Sequence, residues 1–151
     1  MTEFLKIYLI LNIFLVAACS QNTAITAIAE TEPVATSGDA ADDPAIVINY
    51  QNPYQSIILG TDKRAGVYAY NLAGKELSFS GMGEINNIDV RQADGKIFIA
   101  ASNRSSQSIE FWIFNQKDFF RNTRSSFNLF SFADQSITIP SNIDVYGICI
   151  G

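Results

Sequence analysis

Histidine is absent from this 151-residue chain, and cysteine occurs only twice. Without imidazole there is no serine–histidine triad, no zinc site built on histidine and no histidine-based phosphatase chemistry. Cys149 lies two residues before the last residue, so it cannot open a cysteine-phosphatase loop, which needs a downstream arginine. Positive charge is also scarce. Ten lysines and arginines against fifteen aspartates and glutamates leave a formal charge of −5, a poor match to nucleic acid. No segment carries a convincing helical period. What remains is carboxylate, lysine, arginine and tyrosine chemistry, for which a bound hard cation is the natural companion. The length suits one modest domain rather than two.

The first nineteen residues read as an address rather than as part of the fold. Lys6 precedes the apolar run IYLILNIFLVAA, too short to span a membrane as a mature helix. The run ends in VAAC and resembles the lipobox of a bacterial lipoprotein signal, which implies a lipid-modified Cys19 and an exported, envelope-anchored chain. Glu3 offsets Lys6, so ordinary secretion is the alternative. With Cys19 so used, Cys149 has no partner and reads as a small buried apolar residue. Residues 20–41 are rich in Ala, Thr and Ser and read as a tether that becomes ordered where it meets the domain.

From there the chain alternates short strand-like runs with turn signals. AIVINY, SIILGTD, GVYAYNL and ELSFSG form one group of four. NIDVRQ, KIFIAAS and IEFWIFN, with a last strand between Phe127 and Ile139, form a second. Asn52-Pro53, Ala73-Gly74 and Asp94-Gly95 mark turns between them. DVYGICIG reads as the start of a third group. Residues 116–135 hold five phenylalanines and read as core plus loop. The expected fold is all-β: antiparallel four-stranded blades of a β-propeller, two of them present, over residues 42–151. Two blades cannot close a ring and leave open edges, so the sequence reads as the front part of a longer protein.

The stretch GDAADDPAI sets Asp42 and Asp43 side by side before Pro44. An acidic run is ordinarily a solvated loop. Successive side chains in a strand point to opposite faces, however, so the two carboxylates can serve two different cations. Taken in order, ETEPVATSGDAADDPAI, GTDKRAGVYAYNLAGKEL, NNIDVR, AASNRS and DVYGI resemble the N-terminal part of the β-propeller phytases. These are calcium-dependent, six-bladed phosphatases acting on inositol hexakisphosphate. The resemblance covers about residues 30–150. It implies that Asp42 faces the central channel and holds active-site Ca2+. It implies that Asp43 binds a structural Ca2+ with Glu30, Asn86 and the backbone oxygens of Pro44 and Ile88. Lys63 and Arg104 would contact the phosphate being cleaved, Arg64 would hold a neighbouring phosphate, and Tyr146 would donate its hydroxyl to phosphate. Asp42, Lys63 and Arg104 are the implied catalytic set. Asp89 and Arg91 read as structural ion-pair partners.

Calcium also answers a charge problem, because a net-negative chain would otherwise repel so anionic a substrate. Bound Ca2+ becomes the largest local positive charge and can activate water toward phosphorus. Three departures from the family pattern stand out. Val47 replaces a tryptophan, the loop between Arg91 and Lys96 is short, and the family's later acidic residues and another lysine lie beyond this sequence. The reading is therefore a phytase-like phosphomonoester hydrolase present as an N-terminal fragment. The alternative is a catalytically inactive truncated propeller, or a calcium-binding lipoprotein module. Either way, missing blades or a partner would be needed to close the ring.

Overall fold

The computed structural model describes residues 25–123 and 128–151. The expected signal segment and the lipidation site Cys19 lie outside the described residues. Eight strands run in chain order: β1 (Ala41–Val47), β2 (Ile57–Asp62), β3 (Gly66–Asn71), β4 (Glu76–Gly81), β5 (Ile85–Ala93), β6 (Lys96–Asn103), β7 (Ser108–Asn115) and β8 (Gln135–Pro140). They form two four-stranded sheets, β1-β2-β3-β4 and β5-β6-β7-β8, with every neighbour antiparallel. The architecture is all-β, and the two sheets have the form of adjacent propeller blades without ring closure.

Alternation explains how each sheet is covered. In β3, Val67 and Ala69 belong to the core between the sheets. Tyr68 and Tyr70 are equally buried but point the other way. There the segment before β1 covers them. The Ala35 N–H donates to the Tyr68 hydroxyl at 3.0 Å, and Glu32 N–H donates to the Gly74 carbonyl at 2.7 Å. Gly74 has φ +82°, and a Cβ there would sit 1.9 Å from the Glu30 carbonyl oxygen. Only glycine lets the strap lie so close. The tether is thus bound to the domain well before β1 begins.

Between the sheets, Val47, Ile57, Leu59 and Val67 meet Ile85, Ile88, Ile97 and Ile99. Val47 is fully buried, so the smaller residue in the tryptophan position is a core residue. At about 25 cal/mol per Å2 of buried apolar surface, this shared layer is the main force joining the sheets. The Asp94-Gly95 pair has φ 50° and 72°, the left-handed geometry of a two-residue hairpin. That turn makes the short loop seen in the sequence.

Two expectations need correction. Residues 116–135 are not loop alone. Gln116–Asn122 is an α-helix, α1, whose N-cap Asn115 side chain accepts from the Lys117 and Asp118 N–H groups, and Leu129–Phe132 is a 3-10 turn. Burial drives both. Phe119 stands edge-on to Phe114 with centroids 5.2 Å apart, and Phe130 packs on Trp112 at 4.3 Å. The second concerns the end of the chain. DVYGICIG forms no ladder, and Cys149 is exposed rather than buried. Residues 144–151 carry no regular secondary structure and are held to the second sheet by isolated contacts. The Tyr146 carbonyl accepts from Ser102 Oγ at 2.7 Å, and Ile150 N–H donates to Asp89 Oδ2 at 2.7 Å.

Candidate functional site

The paired aspartates sit in a bulge. Ala41 pairs with Asp62 and Pro44 with Gly60, so Asp42 and Asp43 together oppose the single residue Thr61. The second sheet repeats the device. Ile85 pairs with Asn103 and Ile88 with Ala101, leaving Asn86 and Asn87 opposite Ser102. In each case the opposing hydroxyl satisfies the N–H that the bulge frees. Asp43 N–H donates to Thr61 Oγ1 at 2.9 Å, and Asn87 N–H donates to Ser102 Oγ at 3.0 Å. Each hydroxyl then donates onward to the next unit. Thr61 Oγ1 reaches the Asn86 carbonyl at 2.9 Å, and Ser102 Oγ reaches the Tyr146 carbonyl.

The bulge sends the neighbouring carboxylates to different places. Asp43 Oδ2 turns inward and accepts from the Ile88 N–H at 3.0 Å, joining β1 to β5. Asp42 Oδ1 lies 3.8 Å from Lys63 Nζ. The Asn86 side-chain Oδ1 is buried without a hydrogen-bond partner. A buried amide oxygen of this kind costs free energy unless something positive meets it. Among the described residues no three carboxylates gather into a metal cluster, so candidate oxygen donors here are mixed: carboxylate, amide and carbonyl. Pro44 and Ile88 flank the two bulges. The Glu30 carbonyl lies against Gly74, and among the described residues no contact joins the Glu30 carboxylate to Asp43.

Lys63 and Arg64 occupy the β2–β3 turn, whose backbone is fully committed. Lys63 N–H donates to the Ala40 carbonyl at 2.9 Å, Arg64 N–H to Asp62 Oδ1 at 3.0 Å and Ala65 N–H to the Asp62 carbonyl at 3.0 Å. Asp62 is entirely buried and its Oδ2 has no partner. The side chains are engaged as well. Lys63 Nζ donates to Asp39 Oδ2 at 2.8 Å, and Arg64 Nη1 donates to the Ser37 carbonyl at 3.1 Å. The hydrogen bond to Asp39 raises the Lys63 pKa, and the same bond lowers that of Asp39.

Arg104 stands in the β6–β7 turn with its guanidinium 5.3 Å from the Tyr146 ring centroid. Both line a groove of about 170 Å3 with Glu84, Gln107, Asp144 and Val145. This turn and the Lys63 turn are at the same end of the sheets, linked through the β4–β5 connection. Met82 N–H donates to the Ala65 carbonyl, and Asn103 Nδ2 donates to the Met82 carbonyl. Asp42, Lys63, Arg64, Arg104 and Tyr146 therefore share one neighbourhood, while Asp43 and Asn86 sit deeper beneath it.

A family model described as Phytase matches residues 7–150. The chain belongs to the phytase family. Among curated relatives, a 3-phytase of Bacillus subtilis (strain 168) is 36% identical over 131 residues, covering 83% of this chain and 33% of that protein. This phytase-family chain thus spans about a third of the length of that curated relative.

Sequence reasoning missed Thr61, Ser102 and Asp39. Thr61 and Ser102 look like ordinary strand residues, because a bulge leaves no local signal. Asp39 could have been weighed with Asp42 and Asp43, being in the same acidic run. Arg91 is exposed and makes no ion pair among the described residues, unlike the expectation. Asp89 instead accepts backbone N–H groups from Val90 and Ile150.

Proposed function

We propose that this chain is the N-terminal part of a calcium-dependent phytase that releases phosphate from inositol hexakisphosphate. The carrying observation is the convergence of Asp42, Lys63, Arg104 and Tyr146 at one end of two adjoining blades. Lys63 offers a compact ammonium and Arg104 a planar fork, complementary ways to hold phosphoryl oxygens. Arg64 would hold a neighbouring phosphate, and the Tyr146 hydroxyl would donate to the same group. Asp42 faces this cradle and would bind the active-site Ca2+.

A structural Ca2+ would lie deeper, on Asp43, Asn86 and the carbonyls of Pro44 and Ile88. The partnerless Asn86 Oδ1, on a residue that shares Thr61 with Asp43, fits a hard cation that prefers oxygen donors. Glu30 is the member of this set without a geometric argument. When bound, calcium supplies positive field that polarises the phosphoryl group and acidifies the attacking water. The chain's own residues bind and orient the phosphate, and Asp42 balances Lys63 while the substrate is away. Export with lipidation at Cys19 belongs to the same reading.

The test is phosphate release from inositol hexakisphosphate by the full chain, with calcium and with chelator, beside Lys63→Ala and Arg104→Ala. Calcium-dependent release abolished by either substitution is the expected result. The second reading is a calcium-binding module without turnover. It is favoured by the lack, among the described residues, of any cluster of three acidic side chains that could hold a cation. Asp43-dependent calcium binding with no phosphate release, even at excess calcium, would select it. Calcium-independent release unaffected by Arg104→Ala would reject both.

A further inference from the structure

Every cation assigned to phosphate is already engaged by the protein itself. Arg104 lies over Tyr146, Arg64 bonds the Ser37 carbonyl, and Lys63 bonds Asp39. The last contact differs from the others in being anionic. Resting on the assignment of Lys63 as a phosphate ligand, we propose that Asp39 is a built-in competitor that occupies the phosphate position on Lys63. It weakens phosphate binding and speeds release of the product.

The geometry places it on the entry side. The Asp39 side chain is 85% exposed, whereas that of Lys63 is 20% exposed. The carboxylate is therefore the more open member of the pair, and an anion that takes its place on the ammonium displaces an exposed group. Asp42 Oδ1 is further away at 3.8 Å and lines the same ammonium. The segment behind Asp39 is fixed. Gly38 takes φ +80°, Ala40 is buried, and the Ala40 carbonyl accepts from Lys63 N–H. Asp39 can therefore leave Lys63 by rotating its side chain, with no melting of the strap. Phosphate and carboxylate exchange on one ammonium, one anion replacing another. An exposed pair of this kind is weak, so it lowers affinity modestly instead of blocking the site.

The test is titration of the full chain with inorganic phosphate at fixed calcium, followed by amide NMR, for wild type, Asp39→Asn, Lys63→Ala and the double variant. Asp39→Asn should tighten phosphate about two- to fivefold, the range of an exposed ion pair. The gain should vanish in the Lys63→Ala background. If Asp39→Asn binds phosphate no better while Lys63→Ala binds it worse, the competitor is wrong and the phosphate cradle stands. An equal gain with and without Lys63 also overturns it, since general charge removal then explains the change. If Lys63→Ala leaves phosphate affinity untouched, the cradle itself fails.

Discussion

Thr61→Val is the sharpest probe of how the blades are joined. Thr61 is almost completely buried, and its hydroxyl both accepts from Asp43 N–H and donates to the Asn86 carbonyl. Valine fills nearly the same space, so no cavity term arises and only the two hydrogen bonds are lost. The partners left behind are a part-buried backbone N–H and a buried backbone carbonyl. Each such orphan costs about 1–3 kcal/mol, so the substitution should destabilise by roughly 2–6 kcal/mol. Thr61→Ser keeps the hydroxyl and loses one methyl, a cost of about 1 kcal/mol. Urea unfolding with a slope of about 2 kcal/mol/M converts the valine loss to a midpoint shift of about 1–3 M. Calcium affinity should fall with it, because Asp43 and Asn86 lose their common anchor. A serine variant less stable than the valine variant would refute the reasoning, since packing rather than hydrogen bonding would then rule the site.

Asp43→Ala should remove calcium-dependent stabilisation; calcium at a hundred times its Kd should add about 2.7 kcal/mol to the unmodified chain, read as a shift in thermal midpoint that the variant lacks. Gly74→Ala should cost about 1–3 kcal/mol for a strained left-handed alanine and should loosen the strap, seen as faster amide exchange at Glu32. Burial pushes the Tyr70 hydroxyl up to about 12. The unfolded chain then releases this proton first as pH rises, so stability held below about pH 10 is lost between 10 and 12, by roughly 2 kcal/mol. Tyr70→Phe should flatten that alkaline limb in unfolding measured against pH.

The strands were legible because alternation and turn residues repeat every few residues. Val67-Tyr68-Ala69-Tyr70 could be seen as a strand, and Asp94-Gly95 as its kind of hairpin, from local chemistry alone. Helix α1 was not, since seven residues hold too few turns to show a period, and its two phenylalanines gain burial only from Phe114 and Phe130. DVYGICIG has strand-like composition, but a ladder needs a neighbouring strand and none pairs with it among the described residues. The cation-bearing turns were legible through resemblance to a family. The bulges were not, because a slip in register is a property of two strands and neither carries it alone. Cys149 looked apolar enough to be buried, yet burial depends on what lies across from it.

The hydroxyl contacts at the two bulges have a direction. Thr61 in the first sheet gives its proton to the second, and Ser102 in the second gives its proton to the segment beyond. The donating flank and the accepting flank of such a unit are different surfaces. A two-fold axis would place like against like, and carbonyl facing carbonyl leaves both acceptors without a donor. Units joined this way add head to tail rather than face to face. That order is written into single side chains.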